Sequence, residues 1–424
     1  MRPLIPKFQI PKFASSAFKY TAANFLNAIV PILLLPVLTA YLSKEDYGLV
    51  SMFQVMIMIA LPFIGLNSQG AIEREFFNDR YDFAEYITNA IAILSISGAL
   101  IFLIFQIFGT TISLLVDFPV KFLWLVPTYC ICHNVCEVLL SYWRVNNKPT
   151  TYGLFRVSRT LVEVGLSVFL VTVALKGWTG RLEGMAITAF IFGGLAIIFL
   201  FHARLMKFYW SAEQIKDILK FGVPLIPHTL GSVIMIYSDR IFITKMIGLA
   251  DTGVYTVGYQ VAMAISLLQS SFNLAWVPWF YEKLNQKSAS INRQIVKFTY
   301  GYFLVILFCV AVLTISTPLI FKIFINKSYQ DAIQFVFWIA LGFAFDGMYK
   351  MVVNYIFYIK KTYIISLITL LTATLNLALN YILISRYGAL GAAKATAISM
   401  FFEFVVVWWI SKRIYPMPWL IKAN

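Results

Sequence analysis

The sequence is a succession of long apolar runs, and their length constrains what the chain can become. Read between charged or Gly/Pro-marked breaks, they fall at approximately 17–41, 48–70, 86–108, 120–142, 151–175, 184–206, 220–247, 253–281, 296–320, 331–358, 363–385 and 390–411. Each is long enough to cross a hydrocarbon core as a helix of about 20 residues. Twelve such spans leave about 160 of the 424 residues for thirteen loops and tails, roughly 12 each. No folded domain fits outside the membrane. Composition excludes a soluble enzyme on its own terms: 60% of residues are hydrophobic and 12% charged, where soluble domains hold about 45–50% and 25%. The fold class expected is an all-α integral membrane protein with about 12 transmembrane helices.

The formal charge of +15 does not mark a nucleic-acid partner, because the basic residues sit in short gaps between apolar runs rather than on one face. In those gaps positive residues set topology. Even-numbered loops and both tails hold 21 Lys/Arg against 8 in the odd loops, so both termini are expected in the cytoplasm. The N-terminal stretch through Phe13 is basic and broken by three prolines. The first apolar run that follows is long, so a retained helix is expected rather than a cleaved signal. Cys130, Cys132, Cys136 and Cys309 all lie inside apolar runs. Helical spacing does not converge the first three with His133 and Glu137 into four ligands, so packing residues are expected rather than a metal site.

The chain repeats itself. Tyr41 to Gly48, leading to Phe53-Gln54-Val55, recurs as Gly248 to Tyr255, leading to Tyr259-Gln260-Val261. Gly180, Gly184, Thr188 and Ala189 return as Gly388, Ala392, Thr396 and Ala397. The repeat predicts two six-helix lobes, and an even helix number gives them the same orientation. They are therefore expected to be related by a pseudo-two-fold axis along the membrane normal. The lobes are expected at 1–206 and 220–424, joined by a cytoplasmic linker at 207–219. Pro31, Pro36, Pro224 and Pro227 lie in the first spans of the two halves, where kinks would let the lobes rock.

No chemistry-bearing motif is evident. Gly-Lys never occurs as a dipeptide, so there is no Walker loop. There is no His-Glu-x-x-His, and His133, His202 and His228 are scattered. The chain is expected to be a transporter without cofactor or metal, not an enzyme.

Four stretches carry a resemblance. Leu42-Ser43-Lys44-Glu45-Asp46-Tyr47-Gly48 follows span 1, and Ala71-Ile72-Glu73-Arg74-Glu75-Phe76-Phe77 follows span 2. In the second half come Ser238-Asp239-Arg240-Ile241-Phe242 with Gly248, Gly253 and Tyr255, then Asn376 to Asn380 with Gly388 to Thr396. In this order, over nearly the whole chain, they resemble the Wzx-type flippases of the polysaccharide biosynthesis transporter family, within the multidrug/oligosaccharidyl-lipid/polysaccharide superfamily. Lys394 departs from the small residue usual there. The resemblance implies twelve or fourteen helices in two lobes and residence in the bacterial inner membrane. It implies transfer of an undecaprenyl-diphosphate-linked oligosaccharide, an O-antigen or capsular repeat unit, from the cytoplasmic to the outer leaflet. Membrane lipids, a glycan polymerase and a chain-length regulator are the partners it brings with it.

Charges inside spans cost roughly 2.5–3.5 kcal/mol each and need a reason. Arg156, Arg159 and Glu163 lie at i, i+3 and i+7 on span 5, and Asp346, Lys350 and Asn354 at i, i+4 and i+8 on span 10. Arg159 and Lys350 stand at similar depth, as do Glu163 and Asp346. One reading is a pair of self-satisfied ion pairs holding helices together. The other is a water-filled, net-basic cavity. There Arg156, Arg159 and Lys350 would bind the diphosphate, with Asn24 and Asn27 on span 1 and Asn376 and Asn380 on span 11 solvating sugars. Arg74 would capture the head group at the cytoplasmic mouth, unless it is an interfacial topology signal. Asp239 and Arg240, about 100° apart near the outer end of span 7, would touch substrate or anchor the lobe. Glu163, Asp346 and Asp239 are the candidate coupling groups. Two rivals remain. A cation-coupled multidrug exporter of the same superfamily would prefer an acidic cavity, and a glycan polymerase or ligase would carry a large outer loop.

Overall fold

The computed structural model describes Leu26 and residues 29–207, 209–286 and 288–419, with only the backbone of Thr362. These residues are nearly all helical. The helices are α1 (Ile29–Tyr41), α2 (Lys44–Gly65), α3 (Ser68–Asn78), α4 (Phe83–Ile107), α5 (Gly109–Val116), α6 (Leu125–Val145), α7 (Pro149–Thr172) and α8 (Gly177–His202). They continue with α9 (Ala212–Gly222), α10 (Ile226–Met246), α11 (Leu249–Leu284), α12 (Ala289–Phe324), α13 (Ile333–Tyr358), α14 (Thr362–Tyr387) and α15 (Ala389–Ile414).

Each of the twelve expected spans falls on a helix as far as its residues are described. Among the described residues, ten helical segments are long and apolar enough to cross a membrane. The two other spans are α1, described only from Ile29, and α7, whose Arg156, Arg159 and Glu163 lower its apolar character. Three short helices, α3, α5 and α9, were not anticipated. The chain leaves α2 for α3 through Leu66 and Asn67, both left-handed at φ 46° and 50°. Pro62 lies inside α2 just before this break, removing a helical donor near the bend.

The described chain forms two compact units. The first holds Met56–Leu114 and Phe118–Ile226, with described residues up to Leu34. Its core joins Ala71, Tyr86, Leu139, Trp143, Phe155 and Phe192 from α3, α4, α6, α7 and α8. α7 and α8 approach closely because α8 offers no side chain at the contact: a Cβ on Gly184 would stand 2.8 Å from the Ser167 nitrogen, and one on Gly180 2.9 Å from the Leu170 carbonyl. Small residues are how helices gain contact area where lipid gives no hydrophobic drive.

The expected linker at 207–219 is not featureless. It contains most of α9, opened by Ser211, whose hydroxyl accepts from the Gln214 amide. Gln214, Ile218 and Gly222 face inward, and a Cβ on Gly222 would meet the Leu66 carbonyl oxygen at 1.8 Å. Ion pairs clamp this segment: Arg74 with Asp217, Arg80 with Glu213, and Lys207 with Asp82. The Lys207 hydrogen bond holds the Asp82 carboxyl below its ordinary range. Asp82 also caps α4 by accepting from the Ala84 and Glu85 amides. Each exposed pair contributes only up to about 1 kcal/mol, so the clamp rests more on the glycine contact.

The second unit holds Pro227–Asn424, as far as described, together with Leu35–Val55 and Leu115–Asp117. α13 packs against α11, α12 and α15, and α14 against α15. Leu35–Val55 belongs here because of one crossing. A Cβ on Gly48 would stand 2.1 Å from the Leu249 carbonyl oxygen, and one on Gly253 2.0 Å from that of Lys44. The hydroxyls of Ser51 and Thr256 lie 2.8 Å apart at the same crossing, and the Tyr47 hydroxyl donates to Gln260 at 2.8 Å. Gly48 and Gly253, Lys44 and Leu249, Ser51 and Thr256 all share one offset of 205 residues. The repeated segments thus meet each other reciprocally, as in an isologous contact.

Gly253→Ala tests that crossing. With backbone on both sides the added methyl cannot be absorbed by a rotamer change, so a destabilisation of about 2–3 kcal/mol is expected. A fall in the thermal midpoint of the purified protein checks it, with Gly231→Ala, at a position open to added carbon, as the neutral control.

Candidate functional site

Each unit contains a polar cluster inside its helices. In the first, α7 carries the basic stripe. Arg159 is buried, and its Nη2 lies 2.8 Å from His133 Nδ1 on α6. That contact requires Nδ1 to accept, so the imidazole proton sits on Nε2, which faces Glu137 Oε1 at 3.8 Å. The Tyr129 ring stacks on His133 at 5.9 Å. Arg156, half-buried, donates to the Tyr152 hydroxyl and lies over its ring at 5.8 Å. Glu163 does not pair with Arg159. Its Oε1 accepts from Arg181 Nη2 of α8 at 3.0 Å, and Arg181 Nη1 donates to Ser167 at 2.7 Å. The cluster therefore holds three guanidinium groups against Glu137 and Glu163.

In the second unit, Lys350 Nζ pairs with Asp346 Oδ2 at 2.8 Å along α13. Gln269 of α11 donates to the same oxygen at 2.7 Å. Asn354 is spent on the Lys350 carbonyl oxygen at 2.8 Å. Here the geometry is the self-satisfied pair, though both side chains keep about 30% exposure (30% and 27%), so the ammonium retains open donors.

The other sequence candidates separate from these clusters. Asp239 is fully buried on α10, accepting from the hydroxyls of Tyr255 and Thr396. Arg240, also buried, turns away and lies over the Tyr259 ring at 4.2 Å and the Tyr237 ring at 5.2 Å. Asn376 and Asn380 are buried at a helix junction. Asn376 Oδ1 accepts from Ser238 and from Asn380, each at 3.1 Å, and Asn376 Nδ2 donates to Ser399. Arg74 binds Asp217 and Tyr86 and lies over Phe221 at 4.9 Å. Asn24 and Asn27 lie outside the described residues.

Reasoning from sequence missed His133 as the partner of Arg159, Arg181 as a buried charge, and Gln269. His133 had one available signal. It stands four residues before Glu137, the one charged residue between Lys121 and Arg144.

Comparison with known proteins fits this architecture. The family described as "Polysaccharide biosynthesis protein" matches residues 13–284, more than half of the chain. The chain belongs to that family. Among curated relatives, "Lsg locus putative protein 1" of Haemophilus influenzae is 26% identical over 368 residues, covering 85% of this chain and 88% of the relative. "Putative O-antigen transporter" of Shigella flexneri is 21% identical over 212 residues, 49% of each chain. Two solved structures share the fold. "Lipid II flippase MurJ, inward closed conformation" aligns with TM-score 0.74 and 15% identity over 94% of this chain and 87% of that one. An inward-facing multidrug resistance MATE family transporter aligns with TM-score 0.68 and 14% identity over 95% and 96%. The sequence resemblance is thus borne out for family and for a two-lobed membrane fold.

Arg181→Gln should destabilise the first unit by about 3 kcal/mol, since it strands the Glu163 carboxylate among buried groups. Adding Glu163→Gln should recover most of the loss. Thermal midpoints of the single and double variants check both statements.

Proposed function

We propose that the protein transfers a lipid-diphosphate-linked oligosaccharide from the cytoplasmic to the outer leaflet of a bacterial inner membrane by alternating access. Supporting the reading are the family, the fold shared with a protein titled a lipid II flippase, and the relative named as an O-antigen transporter. The observation that carries it is that Arg159, beside Arg156, is buried and has the His133 ring as its hydrogen-bond partner among the described residues. An arginine so placed keeps donors for a phosphate, and guanidinium binds phosphate through paired hydrogen bonds. Lys350 gives the second unit a point charge of the same sign. A cationic drug would find both arginines repulsive, which argues against the multidrug exporter. Arg74, tied to Asp217, would serve capture only by exchanging partners. Arg240, Asn376 and Asn380 act on this reading through helix packing and the shape of the path. Polymerisation would fall to a separate glycan polymerase.

Three expectations follow from the mechanism. In reconstituted vesicles, Arg159→Ala and Lys350→Ala together should lower translocation of a lipid-linked saccharide by about tenfold or more, the loss of two charge-assisted contacts. Arg159→Lys should recover only part, and normal transport by the double variant removes the site.

A diphosphate leaving an inside-negative compartment moves down the field, gaining about 2.3 kcal/mol per charge per 100 mV. The rate should therefore rise with voltage clamped at fixed pH and survive Glu163→Gln and Asp346→Asn. If instead a pH gradient suffices at zero potential and one of these variants abolishes it, the carboxylates couple protons.

The 21 to 8 charge bias places both termini in the cytoplasm. Cysteines introduced at Asn146 and Asn285 should then react only with permeant reagent, and one at Asn326 from outside.

A further inference from the structure

The outer edge of α9 remains without a role in this reading. α9 has three edges. Gln214, Ile218 and Gly222 face the unit's interior. Glu213 and Asp217, one turn apart, bind Arg80 and Arg74. Lys216 and Lys220, also one turn apart, are exposed, and among the described residues neither has a carboxylate within ion-pair distance. Between and beside them runs a groove of about 610 Å³, lined by Trp210, Ile215, Leu219 and Val223 with the two lysines at its rim. Tyr209 and Trp210 are 56% and 62% exposed at the start of this segment.

We infer that this groove is a binding site for an anionic glycerophospholipid of the leaflet that α9 meets. Its phosphate would sit between the Lys216 and Lys220 ammonium groups, and an acyl chain would lie along Leu219 and Val223. Three features point to this occupant. Lysines at i and i+4 lie about 5–6 Å apart at their bases, so both ammonium groups reach one phosphate. Exposed tryptophan and tyrosine side chains favour the level of lipid head groups. A helix with apolar and basic sides at the start of a membrane-crossing segment, here Ala212–Met246, favours the level of that interface. A zwitterionic lipid brings a choline or ethanolamine cation to the same rim and is repelled. A soluble anion satisfies the lysines and leaves the groove empty. The site involves no group assigned to transport and stands whatever the transported substrate is.

The clamp makes the site specific to this conformation of the linker. Glu213 and Asp217 stand one turn of three residues before Lys216 and Lys220 and would neutralise them if released. Engaged with Arg80 and Arg74, they leave the lysines to the lipid.

The full chain purified from membranes and offered equal amounts of phosphatidylglycerol and phosphatidylcholine tests this by native mass spectrometry. The wild type should retain phosphatidylglycerol about thirtyfold over phosphatidylcholine, the scale of two interfacial lysines. Lys216→Gln with Lys220→Gln should abolish the preference without shifting the thermal midpoint, since both side chains are exposed and unpaired. Equal retention of the two lipids by the wild type, or an unchanged preference in the double variant, overturns the proposal. So does displacement of the bound lipid by millimolar inorganic phosphate, which would make the site an anion site only. Brominated phosphatidylglycerol gives a check on unaltered lysines. It should quench a component of the fluorescence that is missing in Trp210→Phe, and identical fractional quenching in the two proteins also overturns the proposal.

Discussion

Hydrocarbon solvates neither peptide groups nor charges, and this one fact orders the structure. Helices satisfy their own backbone, so the long apolar runs become helices with little choice. A charge inside a span has no such internal remedy. It must find a partner on a neighbouring helix, a wet space, or both. α7 shows how much follows. Its three charged residues make it the least apolar of the long helices, and each reaches a named group: Arg156 to Tyr152, Arg159 to His133, Glu163 to Arg181. The close approach of α8 at Gly180 and Gly184 brings Arg181 to Glu163, so packing and charge neutralisation depend on the same contact.

Arg159 and Lys350 illustrate two solutions with different consequences. Lys350 carries its counter-charge on its own helix, one turn away, and Gln269 shares that carboxylate. Arg159 is met by an imidazole whose acceptor nitrogen takes one N–H and brings no negative charge in the tautomer that accepts. Its positive charge is balanced only at longer range, by the Glu137 and Glu163 carboxylates of the same cluster. That difference makes the buried cluster of the first unit, with Arg156, Arg159 and Arg181 against Glu137 and Glu163, more basic than the Lys350–Asp346 pair of the second.

Glycines decide where elements meet. Gly48 and Gly253 let α2 and α11 cross with backbone against backbone, and Gly222 seats the end of α9 on the Leu66 carbonyl. At none of these three is a positive φ involved. The requirement is space, set by a neighbouring carbonyl oxygen. The expected linker at 207–219 thereby becomes, over most of α9, a packed element with an inner face, an acidic edge and a basic edge.

Sequence by itself determined the fold class, the positions of the long helices among the described residues and the family, because apolar length and a few turn motifs are local properties that hydrocarbon enforces without reference to neighbours. It also singled out Arg159, Glu163, Asp346 and Lys350, since a charge in an apolar run stands out wherever it ends up. The partners of those charges belonged to tertiary structure. Spacing on one helix suggested Arg159 with Glu163, yet the side chains belong to different pairs once α6 and α8 are in place. Asn376 and Asn380 read from the sequence as sugar ligands, and only the proximity of Ser238 and Ser399 showed what their amides bind. The placement of Leu35–Val55 with the second unit was likewise invisible, although both repeat segments were legible. Recognising that two segments are alike says nothing of their touching. That depended on two glycines 205 residues apart meeting each other's helix backbone, a contact between residues distant in the chain that no local pattern encodes.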